Sequence, residues 1–253
     1  MRPWVRHDES DACAHAEPGL DEAMAVEIEV LDDPAARVVE LLLEAAAAGG
    51  QIVLTGGSTP RRAYEQAAKG GVDWSGATVW FSDDRCVGPQ DPRSNFGLAD
   101  GALLRRLPED QRPDVMRIEG ELGPEIAAAS YEAELRERLG GDPRWDLMLL
   151  GLGPDSHCAS LFPGKPELQE RSRLVVGVEH AGWDPFVPRV SLTLPALNSA
   201  RRTVFLVTGA DKAGAMKRAF GDPADAASPS AQVRPKAGEL LVLCDAAAAA
   251  ELA

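Results

Sequence analysis

The chain has 253 residues, 45% hydrophobic and 5% aromatic, and a formal net charge of −14. That length supports a sizeable core, while the acidic balance argues for a soluble protein and against non-specific nucleic-acid binding. No apolar run approaches the ~20 residues of a membrane span.

Residues 1–22 mix acids with Trp4, His7 and His15. They lack the basic start and apolar core of a signal peptide and read as a polar tail before a single domain from residue 23 to 253. Cys13, Cys86, Cys158 and Cys244 lie far apart with no Cys-x-x-Cys pair. Reduced thiols in a cytoplasmic protein are the simplest reading, and zinc is not expected. With so few aromatics, no large association patch is evident, and a monomer is the default.

In chain order, Val26 to Leu31 reads as a strand, and Ala35 to Ala48 as a helix with Asp33 as N-cap and Pro34 in the first turn. Gln51 to Thr55 is a strand, Gly56 to Pro60 a turn and Arg61 to Lys69 a helix. Thr78 to Ser82 is a third strand, followed by helices at Asn95 to Leu107 and Glu125 to Leu139. Asp146 to Leu150 is a short apolar block, as expected of a strand covered on both faces. Strands follow at Leu174 to Val178, Arg189 to Leu194 and Thr203 to Val207, then a helix at Ala210 to Ala219. Glu239 to Cys244 is the last strand, and Asp245 to Leu252 a short Ala-rich helix. This alternation predicts an α/β protein with an open, mostly parallel sheet and helices on both faces.

Ligands in such sheets gather at the carboxyl ends of strands, so the strand-end turns carry the chemistry. Gly56-Gly57-Ser58-Thr59-Pro60 opens a helix, whose free N–H groups and positive dipole end suit a phosphate or oxyanion. An ordinary capped turn fits that segment equally well. Asp83-Asp84-Arg85 can orient a polyhydroxy ligand or form a solvated loop, and Ser94-Asn95 can simply cap the next helix. In Gly151-Leu-Gly-Pro-Asp155-Ser-His157, the third glycine of a dinucleotide fingerprint is missing, which argues against a Rossmann cofactor site. His157 suits a general base at neutral pH, and Asp155 is its neighbour in the turn. Cys158 is assigned to packing. Arg189 starts a strand. Lys212 sits in the first turn of a helix, where a bound anion relieves its conflict with the dipole, as does screening by Asp211.

Together these segments resemble the 6-phosphogluconolactonase family, within the glucosamine-6-phosphate isomerase/6-phosphogluconolactonase superfamily, over about Val26 to Asp245. The resemblance rests on Thr55 to Pro60, Asp83-Asp84-Arg85 with Ser94-Asn95, Leu150 to Pro163, Arg189 to Pro195 and Gly209 to Ala213. It implies a Rossmann-like three-layer fold of the sugar-phosphate isomerase type. It also implies hydrolysis of 6-phosphoglucono-δ-lactone in the oxidative pentose phosphate pathway, without metal or organic cofactor. His157 then activates water, with Asp155 orienting the imidazole or a substrate hydroxyl. Gly57, Ser58, Thr59, Arg189 and Lys212 hold the 6-phosphate, and Asp83, Arg85 and Asn95 line the sugar side. Gly56-Gly57 or a cationic side chain receives the oxyanion.

Two positions depart from the family pattern. Ser156 stands where Asp-Gly-His is usual and costs about 1 kcal/mol or more if the turn needs positive φ. Asp84 stands where Asp-Glu-Arg is usual. A glucosamine-6-phosphate deaminase resembles this pattern too, but carries a glutamate shortly after the histidine. Here Ser160-Leu161-Phe162-Pro163 holds no acid, which favours hydrolysis. A non-catalytic sugar-phosphate binder is the remaining alternative.

Overall fold

The computed structural model describes residues 26–252. The N-terminal tail, including Cys13, lies outside them. Ten strands and six α-helices follow one another: β1 (Val26–Val30), α1 (Pro34–Ala47), β2 (Gln51–Leu54), α2 (Ser58–Ala67), β3 (Thr78–Phe81), β4 (Asp83–Arg85), α3 (Asn95–Ala102), β5 (Asp114–Val115), α4 (Pro124–Leu139), β6 (Leu147–Leu150), β7 (Val175–Val178), β8 (Arg189–Leu192), α5 (Leu194–Leu197), β9 (Arg202–Val207), α6 (Ala213–Phe220) and β10 (Glu239–Cys244).

Seven strands form one sheet in the order β1-β10-β9-β6-β2-β3-β5, with every pair parallel. All four residues of the central strand β6 are buried, as its unbroken Leu-Met-Leu-Leu run requires of a strand covered on both sides. On one side α1 packs against β10, β9, β6 and β2, and α2 packs against α1. Asp33 caps α1 by accepting the Ala36 N–H, with Pro34 in the first turn.

β4, β8 and β7 form a second, antiparallel sheet, backed by α4. It directs two alternating faces. Asp83, Arg85, Arg189 and Ser191 share one, because Asp83 pairs with Ser191 and Arg85 with Arg189.

Two tyrosines anchor the ends of the main strands. The Tyr64 hydroxyl donates to the Thr55 carbonyl and accepts its N–H, at 2.7 and 3.1 Å. Tyr131 on α4 does the same for Phe81, at 3.2 and 2.9 Å. Both hydroxyls are buried, so each pairing also satisfies a phenol that would otherwise be stranded.

Three expectations are corrected. α2 begins at Ser58 rather than Arg61. Asp83–Arg85, read as a turn, pairs as a strand. Asp245 to Leu252 forms turns rather than a helix; its Asp245 carboxylate accepts the N–H groups of Ala248 and Gly209, which ties the segment to the end of β9. Among the described residues no helix is long and apolar enough to cross a membrane.

Candidate active site

The parallel neighbours β9, β6 and β2 end side by side. Past β6 comes the turn with Asp155 and His157, flanked by the Gly56–Pro60 turn after β2 and the Gly209–Lys212 turn after β9. The face of β4 and β8 bearing Asp83, Arg85 and Arg189 closes the remaining side. Together they enclose a cleft of about 420 Å³, lined by Gly56, Gly57, Ser58, Thr59, Asp83, Arg85, Asn95, His157, Arg189 and Lys212 among others. Asp155 is not among the lining groups but stands directly behind the histidine.

The Nδ1 of His157 lies 2.5 Å from Asp155 Oδ1, and the same oxygen accepts the His157 N–H at 3.2 Å. A carboxylate only accepts, so Nδ1 carries a proton, and in the neutral ring Nε2 keeps its lone pair. Burial pushes the Asp155 carboxyl up, but its hydrogen bond and charge interaction with His157 hold it below the ordinary value. Gly153 makes room for this pair, since a Cβ there would overlap the imidazole. The turn does need positive φ at position 156, where Ser156 has φ 66°. Its Oγ donates to the Asp155 carbonyl at 2.5 Å.

The Pro- and Ser-rich segment after α6 lies behind this turn. Ser230 donates its Oγ to the Ser156 carbonyl at 2.8 Å, and Arg218 donates to the Pro154 carbonyl. Ser228, Ser230 and Val233 are buried, so this segment braces the histidine loop from below.

Asp83 links that loop to the second sheet. Its Oδ2 accepts the Ser160 hydroxyl at 2.7 Å, and its Oδ1 accepts from Ser82 and from Asn95 Nδ2. Asn95 Nδ2 also donates to the Asp83 carbonyl, which leaves Asn95 Oδ1 buried with no partner beside Gly56. Asp84 points to the opposite face. It accepts the N–H groups of Arg85, Asn95 and Phe96 and the Ser94 hydroxyl. Ser94 in turn caps α3 by accepting the Gly97 N–H. Asp84 is thus an anchor for α3, and burial raises its carboxyl to about 6.

The cations are arranged differently. Arg189 is 2% exposed. Its Nη2 donates to the Trp183 and Pro185 carbonyls, and its Nε has no acceptor. Arg85 donates Nη1 to the Arg93 carbonyl, and its Nε is likewise unpartnered. Neither makes an ion pair among the described residues, so both keep charge available for an anion. Lys212 Nζ lies 3.6 Å from Asp211 Oδ2. Gly57, with φ 100°, is the N-cap of α2, so the first-turn N–H groups of Ser58 and Thr59 have no helical carbonyl to bond.

Trp183, Asp184 and Thr208 also line the cleft and escaped the sequence reading. Gly182-Trp-Asp-Pro185 lies outside the regular strands and helices, and its one available signal was a tryptophan six positions before Arg189. No group of three or more metal-ligating side chains occurs among the described residues.

The glucosamine-6-phosphate isomerase/6-phosphogluconolactonase family model matches residues 26–242. A 6-phosphogluconolactonase of Streptomyces coelicolor is 37% identical over 233 residues, covering 86% of this chain and 88% of its own. The structure of 6-phosphogluconolactonase from Trypanosoma brucei superposes with a TM-score of 0.80 at 26% identity, covering 91% of this chain and all of that one. A monomeric glucosamine-6-phosphate deaminase shares the fold, with a TM-score of 0.74 at 18% identity over 89% of this chain and all of its own. With the family match spanning both the sheet and its strand-end turns, the chain belongs to the glucosamine-6-phosphate isomerase/6-phosphogluconolactonase family.

Proposed function

We infer that this protein is a hydrolase that converts 6-phosphoglucono-δ-lactone to 6-phosphogluconate in the oxidative pentose phosphate pathway. The observation that carries the reading is the Asp155–His157 pair opening into a cleft with unneutralised arginines. Nε2 of His157 removes a proton from water as its oxygen attacks C1 of the lactone. The carbonyl becomes an oxyanion, received by N–H groups at Gly56 and Gly57 or by the Arg85 guanidinium. Collapse breaks the bond from C1 to the ring oxygen, which takes the proton back from His157. Asp155 orients the imidazole and offsets its transient charge. Arg189, Lys212 and the turn Gly57-Ser58-Thr59 grip the 6-phosphate. Asn95, through its Oδ1, and Asp83 line the sugar side.

Such chemistry needs no second acid to move protons between carbons. Phe162 packs on the imidazole with ring centroids 4.7 Å apart, in the stretch where a deaminase carries its glutamate. The accompanying proposal is a cytoplasmic monomer that uses no metal or organic cofactor. Supplying 6-phosphogluconolactone and, separately, glucosamine 6-phosphate tests the substrate assignment. Acid release from the lactone without ammonia from the amino sugar is expected; ammonia release, or neither activity, overturns it.

A further inference from the structure

Phe162 is in contact with two cleft groups of different function. Its ring centroid lies 4.7 Å from that of His157, with the planes tilted by 47°. It lies 5.4 Å from the guanidinium carbon of Arg189, within the range of a cation–π contact. The ring is 1% exposed, yet it belongs to a small cluster with Val178 and Ala181, separate from the main core. The Gly182 backbone lies directly on it, since a Cβ there would stand 2.8 Å from Phe162 Cγ. Walled in this way, the ring holds one position against both neighbours.

Arg189 explains why a ring is useful there. A buried guanidinium needs something in place of water, and a carboxylate would neutralise the charge that an anionic substrate requires. Two carbonyls and an aromatic ring hold the cation while leaving its charge intact. His157 faces a related demand each time it takes a proton. Asp155 serves its Nδ1 side, and Phe162 lies against its ring.

We propose that Phe162 is a positioning residue whose aromatic ring holds Arg189 ready for the substrate's anionic group and favours the imidazolium that forms on His157. This rests on the lactonase reading of the site. The charged groups around the imidazole's cleft are Asp155 on its own turn, Asp83 and Arg85 of β4, Asp184 in the loop before β8, Arg189 at its start, and Asp211 and Lys212 beyond β9. None of these changes when hydrogens on the Phe162 ring are replaced by fluorine.

The test is to install mono-, di- and trifluorophenylalanine at position 162 of the full chain, which weakens the ring's quadrupole while nearly preserving its shape. Affinity for 6-phosphogluconate is expected to fall stepwise, by about threefold or more at the trifluoro ring. The acidic limb of kcat/KM is expected to move to lower pH by about half a unit, because the imidazolium loses its support. Unchanged affinity and an unmoved limb across the series would show Phe162 to be packing only. His157→Ala, measured alongside, separates the two claims. Lactone hydrolysis by the wild type that is lost in this variant, together with a flat fluorination series, overturns the role of Phe162 alone, whereas no lactone hydrolysis by the wild type overturns the lactonase reading.

Discussion

Asp155 and His157 meet at 2.5 Å although only one residue separates them. Near neighbours in a turn usually diverge; here the positive φ of Ser156 and the bare Cα of Gly153 bring the two side chains together. The consequence is chemical, because the carboxylate fixes the tautomer that leaves Nε2 facing substrate. Asp155→Asn keeps the shape but loses the charge that supports the imidazolium. Its kcat is expected to fall by roughly an order of magnitude or more, read from initial rates of lactone hydrolysis.

Gly153→Ala tests the space beside the imidazole. Gly153 has no positive φ, so alanine is acceptable to the backbone, but its methyl overlaps the His157 ring. A displaced base costs about 10²-fold in kcat when the misplacement nears 1 Å. The thermal midpoint should change far less than the activity. Wild-type kcat in this variant would show that the ring has other room.

Ser156 sits at φ 66°, in the left-handed region that favours glycine. Ser156→Gly relieves left-handed strain but gives the unfolded chain more freedom, so stability should stay within about 1 kcal/mol of wild type. Activity should be retained. Ser156→Val adds a β-branch at a backbone angle that disfavours it and is expected to destabilise by about 2 kcal/mol or more, measured by denaturant unfolding.

Asp84 and Asp155 give opposite pH signatures. Burial raises the Asp84 carboxyl to about 6, above the ~3.9 of an unfolded chain. Between those values the folded protein holds a proton that the unfolded chain has released, so this group adds stability as pH falls from about 6 to about 4. The gain is up to about 3 kcal/mol relative to neutral pH. Asp155, held below its ordinary value, contributes stability above ~4 that is lost as pH falls through its lower folded value. Asp84→Asn removes the first signature. The stability of wild type relative to this variant should therefore rise on acidification from pH 7 to pH 4. At neutral pH the variant should be less stable by about 2 kcal/mol, because an amide nitrogen cannot accept what both carboxylate oxygens accept.

The sheet and the turns at its carboxyl end were legible in the sequence because apolar runs such as Leu147–Leu150 stop abruptly at glycine. The second sheet was not. Asp83-Asp84-Arg85 has no apolar alternation, and its strand character comes from pairing with residues 189–191, over a hundred positions away. Separations of 77 and 74 positions hid the bond from Ser160 to Asp83 and the bracing of Ser156 by Ser230. Asp245 to Leu252 misled in the other direction: its alanines favour a helix, but the Asp245 carboxylate bonds Ala248 and Gly209 instead. His157 was recognisable from its turn, whereas Trp183 and Asp184 reached the cleft by a loop path with no regular pattern.

The most direct measurement is turnover of freshly prepared 6-phosphogluconolactone by wild type and His157→Ala, corrected for spontaneous hydrolysis and paired with 6-phosphogluconate binding. General-base catalysis by His157 predicts that kcat in the variant falls by roughly 10²–10⁴-fold. Product affinity should stay near wild type, since Arg189 and Lys212 remain in place. A variant that hydrolyses the lactone at the wild-type rate would contradict the assignment of His157 as the base.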